Sequence, residues 1–225
     1  METKAFSPKA IEARILHIDG LCIVIDKPGG VAVHGEPGAD SGRNLGEWLP
    51  HLRAGRGSLP QIAHRLDRDT TGCLVLGRHP KALRKLGDLF AGNRVEKIYW
   101  ALLEGQLPQA QGTVELALGE KDVTGRVSAD PRGKEAFTEY KVLAHAEGMT
   151  WVELRPRTGR THQLRVHMAS LGCAIRGDER YGAVPAGQLY LHARGLRLPL
   201  YPSREPLHVE APVPDSWITP FQLTP

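Results

Sequence analysis

The chain has 225 residues, 41% of them hydrophobic and 24% charged, with a formal net charge of +4. That length can bury a substantial core, as one large domain or two small ones, and the composition is far from that of a disordered chain. The small positive excess leans towards a polyanionic partner, and it is concentrated: Arg155, Arg157, Arg160 and Arg165 fall in one stretch without a carboxylate. Three widely spaced cysteines (Cys22, Cys73, Cys173) form no CxxC pair, which argues against a zinc knuckle or a disulfide framework. Met1 to Ala10 lacks the apolar core of a signal peptide, and no apolar run approaches a membrane span. A cytoplasmic protein with no membrane partner is the expectation.

In chain order, residues 1–10 read as a loose tail, and the N-terminal tail is bounded at residue 12. Arg14 to Ile18 and Leu21 to Ile25 form two apolar runs around Asp19-Gly20, the pattern of a β-hairpin with a two-residue turn. Lys27-Pro28-Gly29-Gly30 should end the second strand, because proline removes a ladder donor and glycine relaxes the backbone. Asn44 can cap a short helix to about Arg53, with Leu45, Trp48, Leu49 and Leu52 on one face.

Cys73 to Leu76 reads as a strand, and Pro80 opens a helix with Leu83, Leu86, Leu89 and Phe90 at helical spacing and Gly92 as its stop. Val95 to Leu103 alternates: Val95, Lys97, Tyr99 and Ala101 share one face, Ile98, Trp100 and Leu102 the other. Further strands are expected near 113–118, 135–144, 149–155, 190–198 and 206–211. Thr161 is placed to cap a helix to Leu171, ended by Gly172. Many strands with a few scattered helices make this an α+β protein and not a doubly wound one.

Two segments and one tyrosine could carry chemistry. His64-Arg65-Leu66-Asp67-Arg68-Asp69-Thr70-Thr71-Gly72 is a polar loop between short strands. A carboxylate flanked by Arg65 and Arg68 favours its anion, as a nucleophile or base requires, although a polar loop with surface ion pairs has the same composition. Arg155 to His167 feeds a basic loop into a helix N-terminus, a natural anion site or else a solvated basic face. Arg165 follows the apolar Leu164 and sits at the edge of the buried stripe, where an arginine wants a carboxylate. Tyr99, in mid-strand, is placed for core packing or for stacking on a base. His162 and His167 are five apart, not the i, i+4 pair of a zinc helix, and no GxxxxGK[ST], GxGxxG or Gly-x-Ser-x-Gly pattern occurs.

Taken together these segments resemble one family. His64 to Gly72 (HRLDRDTTG) is similar to the HRLDxxTSG signature of the RluA-type pseudouridine synthases, and Lys97-Ile98-Tyr99-Trp100-Ala101 to their KxYxA strand. Arg157 to Gly172, with Gly177-Asp178 and Tyr181-Gly182, resembles the third motif. Ile23 to His34, around Lys27-Pro28 and Gly30, resembles the opening hairpin, and Leu191-His192-Ala193 the closing one. The likeness runs from about residue 13 to 212, in the family's order.

The resemblance implies a mixed, mostly antiparallel bent sheet with flanking helices around a central RNA-binding cleft, residues 13–225 being the catalytic domain. On its terms Asp67 is the essential aspartate, Tyr99 packs against the target base, and Arg165 pairs with the aspartate. Arg65 helps fill the space left by a flipped nucleotide; His64, Arg68, Arg157, Arg160 and His162 complete the expected RNA-binding set. Neither metal nor organic cofactor is implied. Thr71 stands where the family usually has serine and keeps the hydroxyl. Cys173-Ala174 replaces a more usual His-Pro, and Arg176 an apolar residue, changes that could alter RNA docking. Too few residues precede the hairpin for an S4-like domain. The expectation is therefore a monomer that selects a stem-loop of tRNA or 23S ribosomal RNA by its catalytic domain. A silent RNA-binding or folding factor is the alternative that intact Asp67, Tyr99 and Arg165 oppose.

Overall fold

The computed structural model describes residues 8–33, 44–53, 57–182, 185–215 and 217. His34, the end of the first motif, and the first seven residues lie outside them. In chain order the strands are β1 (Ile15–Ile18), β2 (Cys22–Lys27), β3 (Gln61–Ile62), β4 (Thr71–Gly77), β5 (Glu96–Glu104), β6 (Gln111–Glu115), β7 (Phe137–Ala146), β8 (Met149–Pro156), β9 (Leu191–Leu198) and β10 (Leu207–Glu210). Helix α1 (Pro80–Ala91) lies between β4 and β5, and α2 (Gln163–Ser170) between β8 and β9. No helix among the described residues is long and apolar enough to cross a membrane.

The chain divides into two compact units. The first is Met1–Val95 with Gly195–Pro212, the second Glu96–Arg194 with Val213–Pro225, so the chain passes between them within β9. In the first unit β2 pairs antiparallel with β1 and β4, β3 with β4, and β10 with β9. In the second, β8 pairs antiparallel with β5 and β7, and β7 with β6. The isolated bridge Ala32–Asn44 is parallel. The fold is α+β and mostly antiparallel, as the sequence pattern indicates.

In the first unit, one face of β2 and of β4 (Cys22 and Val24, Cys73 and Val75) joins Leu86 and Leu89 of α1 and Leu196, Leu198 and Val209 in a single core. Helix α1 begins where Pro80 permits it, with His79 Nδ1 accepting the Ala82 N–H as cap, and Gly92 closes it on Asp88. In the second unit Ala101, Leu103, Val152, Leu154, Leu164, Met168 and Leu191 form the core, with Tyr99 packed against it. Leu102 belongs instead to a cluster with Trp151 and Trp217, so β5 alternates as its sequence does.

Four local expectations are corrected. Residues 8–14 form a 3-10 helix with Ile11 buried, so residues 8–10 are no loose tail. The hairpin turn is shifted by one: Asp19 N–H donates to Cys22 O, and Asp19 Oδ1 accepts the N–H groups of Leu21 and Cys22. Gly20 and Leu21 therefore occupy the centre, because the aspartate side chain caps the turn from its first position. Leu45, Trp48, Leu49 and Leu52 are buried as expected, but on two 3-10 turns, Leu45–Glu47 and Leu49–Leu52, broken at Trp48 just before Pro50. Finally, Thr161 does not cap α2. His162 occupies that position with φ +54 and makes no capping hydrogen bond with its side chain. Gln163 instead ties the preceding loop to β7: its Oε1 accepts from Arg160 N and Thr158 Oγ1, and its Nε2 donates to Phe137 O and Thr138 Oγ1.

Candidate active site

The loop bearing Asp67 belongs to the first unit and is held from several directions. Ala63 N–H donates to Val75 O, and Val75 N–H to His64 Nε2 at 3.0 Å, so the loop enters braced on β4. The His64 ring also stacks on Phe90 of α1, with centroids 4.1 Å apart. His64, expected among the RNA-binding residues, also braces the loop. Leu66 and Thr70 are buried, and Thr70 N–H donates to Asp67 O at 3.2 Å. Asp67 is half-buried between exposed Arg65 and exposed Arg68.

The residue that sequence reasoning missed lies beneath this loop. Lys27 is fully buried, and its Nζ donates to Pro28 O at 2.8 Å, Val31 O at 3.0 Å and Arg68 O at 2.8 Å. An ammonium has three N–H donors, and here they tie the 28–31 turn to the 67–70 loop. Burial pushes the Lys27 ammonium down to about 7, while Asp69, Asp67 and Asp26 pull the other way. Lys27 and Asp67 are thus close enough inside the unit to feel each other's charge. Arg68 Nε returns the tie by donating to Gly30 O at 3.3 Å. Within the sequence only the Lys27-Pro28 motif marks this position, and its residues by themselves read as a strand end.

Tyr99, Arg165, Arg157, Arg160 and His162 belong to the second unit. Tyr99 lies opposite Leu154 in the β5–β8 ladder, half-buried against the core. Arg165 forms a fork with Asp178: Nε to Oδ2 at 2.7 Å and Nη2 to Oδ1 at 2.6 Å, with side chains 11% and 0% exposed. Asp178 Oδ1 also accepts from the backbone of Arg180 and Tyr181. Gly177 makes this turn possible, having φ +73 in a place where a Cβ would run into Gln188 O. Tyr181 covers the pair. Arg165 and Arg126 each lie about 5 Å from its ring centroid, and its hydroxyl accepts Val127 N–H at 2.7 Å and meets His162 Nδ1 at 2.9 Å. Asp178 and Tyr181 were visible in the sequence only as parts of a motif.

The arginine-rich run is not the carboxylate-free anion loop that its own residues suggest. Arg157 Nε and Nη2 donate to Glu139 at 2.9 and 3.0 Å, Arg155 Nε to Glu153 at 2.8 Å, and Arg160 Nε to Glu135 O. Glu139 comes from β7 across the ladder, where a linear reading does not place it, whereas Glu153 stands two residues before Arg155 on β8 itself. His167 is buried, its Nδ1 against Thr138 Oγ1 and its Nε2 near Leu116 O, and burial lowers its pKa.

One cluster among the described residues has the makings of a metal site: His17, Asp19 and Cys22 offer ligand atoms within 4.8 Å of one another. Asp19 Oδ2 already receives Tyr201 Oη at 2.5 Å and lies 2.8 Å from His17 Nε2. Burial pushes the Cys22 thiol up to about 12, against the thiolate a metal needs. These bonds make it a polar clasp between the first hairpin and Tyr201.

Comparison with known proteins agrees with this anatomy. Residues 21–170 match the family model described as RNA pseudouridylate synthase. The chain belongs to this family. It is similar to an uncharacterised RNA pseudouridine synthase of Zymomonas mobilis, 40% identical over 91% of this chain and 95% of that one. Ribosomal large subunit pseudouridine synthase C of Vibrio parahaemolyticus is 33% identical over 94% of this chain and 69% of its own length. Among solved structures, human RNA pseudouridylate synthase domain containing 4 superposes with a TM-score of 0.79 at 30% identity, covering 94% of this chain and 92% of that one. The RluA-type resemblance is borne out. As a pseudouridine synthase the protein is an isomerase whose substrate is RNA.

Proposed function

We propose that this synthase isomerises specific uridines in a stem-loop of 23S ribosomal RNA or tRNA, flips the target nucleotide, and uses Asp67 as the catalytic carboxylate. The reaction breaks the N1–C1′ bond, turns the uracil, joins C5 to C1′ and releases the C5 proton. It requires an ionised carboxylate, a displaced base and a hold on the detached ring. In this reading Tyr99 packs against that base, Arg165 is the basic residue of the catalytic set, and Arg65 fills the space the nucleotide vacates. Arg68, Arg157, Arg160 and His162 contact the RNA.

The observation that carries this reading is the loop itself. Asp67 stands half-buried on a segment fixed by His64, Thr70 and a buried Lys27, an investment that a surface ion pair does not need. The ribosomal RNA alternative draws support from the Vibrio relative, whose name assigns it to the large subunit. Asp67→Asn should abolish tritium release from [5-³H]uridine-labelled RNA while RNA binding persists. Release at the wild-type rate would overturn the assignment, and no release from the wild type would favour a silent RNA-binding factor.

A further inference from the structure

The second unit carries a cationic feature that the Arg155–Arg165 run does not reveal. Lys121, Arg132, Lys134 and Arg160 line a cleft of about 620 Å³ together with two carboxylates, Glu120 and Asp130. Asp130 is spent on Arg132, with Oδ1 3.6 Å from Nε. Lys121 and Lys134 are exposed and have no carboxylate partner among the described residues. The cleft therefore presents more positive charge than its walls neutralise.

Its walls are built and not loose. Leu118 exchanges backbone hydrogen bonds with Lys134 at 2.8 and 3.0 Å, and Asp130 N–H donates to Ala117 O. Gly133 allows this closeness, since a Cβ there would run into the Leu118 backbone. The outer turn is tied down by Arg180 Nη1 to Thr124 O at 2.8 Å and by Val127 N–H to Tyr181 Oη. Beneath it, Leu118, Val127, Ala136 and Val166 share one core cluster. Cations on such a frame lose little backbone entropy when they meet a ligand.

We propose that this cleft is a phosphodiester-binding track for the RNA substrate. The proposal rests on RNA being the substrate, and deepens that reading by naming where the backbone lies and which side chains hold it. The lining favours backbone over base, because it has four cations and no aromatic ring on which a base could stack.

The test is the salt dependence of binding, read by anisotropy with a short fluorescein-labelled RNA stem-loop over a range of KCl concentrations. Lys121→Ala/Lys134→Ala should weaken binding roughly tenfold at low salt and lower the slope of log Kd against log salt by about one and a half, the release expected from two phosphate contacts. Lys121→Arg/Lys134→Arg should restore both, which excludes misfolding as the cause. Lys81→Ala/Arg84→Ala on α1 removes equal charge elsewhere and should leave the slope at its wild-type value. Equal losses in the cleft pair and the α1 pair, or an unchanged slope in the cleft pair, would overturn the track. No turnover is read, so failure of the Asp67 assignment leaves these slopes as they are.

Discussion

Each unit buries a cation beside a motif, and the two are held by opposite means. Lys27 in the first unit is bonded to three backbone carbonyls, with carboxylates acting on it only through space. Arg165 in the second is gripped side chain to side chain by a buried carboxylate. Carbonyl bonds fix the course of the main chain, so Lys27 shapes the loop on which Asp67 sits. A guanidinium–carboxylate fork fixes the direction of one side chain and leaves the backbone to its own turn. The choice of cation matches the task. A compact ammonium can satisfy three carbonyls in different directions, whereas a planar guanidinium matches a carboxylate in one plane.

The comparison breaks first if the fork is dispensable. Asp178→Ala leaves Arg165 without the carboxylate that binds both Nε and Nη2 in a nearly closed site, and should cost about 3–5 kcal/mol in urea unfolding. Arg165→Met/Asp178→Leu, which removes both charges, should recover much of that loss while tritium release stays low. A single variant as stable as the wild type would mean that the fork does not hold this turn together.

Lys27→Met comes next and sharpens the contrast, because it acts on carbonyls. It leaves three acceptors without their donor and should cost about 1–3 kcal/mol, offset in part by relief of a buried charge. It also has a signature that the fork lacks. Burial holds the folded pKa near 7, below the ordinary lysine value, so between the two the unfolded chain binds the extra proton. Stability therefore rises with pH across that window, by about 1 kcal/mol per unit from this group alone. Unfolding curves at several pH values should show that rise in the wild type and its loss in Lys27→Met. Parallel pH profiles would show that Lys27 does not titrate there.

The contrast also explains what could be read from the chain. β5 was legible because Tyr99 and Ala101 alternate with Trp100 and Leu102, a period that survives any packing. Helix α1 was legible because Pro80 and Gly92 are local signals. Lys27 was not, because its acceptors at Val31 and Arg68 are backbone atoms of any residue type, and a carbonyl leaves no mark in a sequence. Asp178 was hidden differently: it is thirteen residues from Arg165, across a turn whose closure depends on Gly177. The start of α2 misled because Thr161 is a good cap by type, and only the fold shows that Gln163 already satisfies Arg160 N–H and Thr158. Of the site, Asp67 and its loop were legible as a motif; what holds them was not.

The smallest effect belongs to a third cation, which marks the exposed limit of the comparison. Arg157 is bonded to Glu139 by two hydrogen bonds of 2.9 and 3.0 Å, a fork of the same form as the buried one, but the side chains are 61% and 41% exposed. Water screens both charges, so a two-bond fork of this form should be worth far less here than Arg165–Asp178. Glu139→Gln should change stability by less than about 1 kcal/mol, and the change should shrink further in high salt. The same substitution frees Arg157 from its carboxylate. If Arg157 meets phosphate, as the RNA-binding assignment holds, Glu139→Gln should tighten RNA binding at low salt and leave stability almost unmoved. A loss as large as that of Asp178→Ala would show that burial is not what separates the two forks. Unchanged binding would remove Arg157 from the RNA contacts.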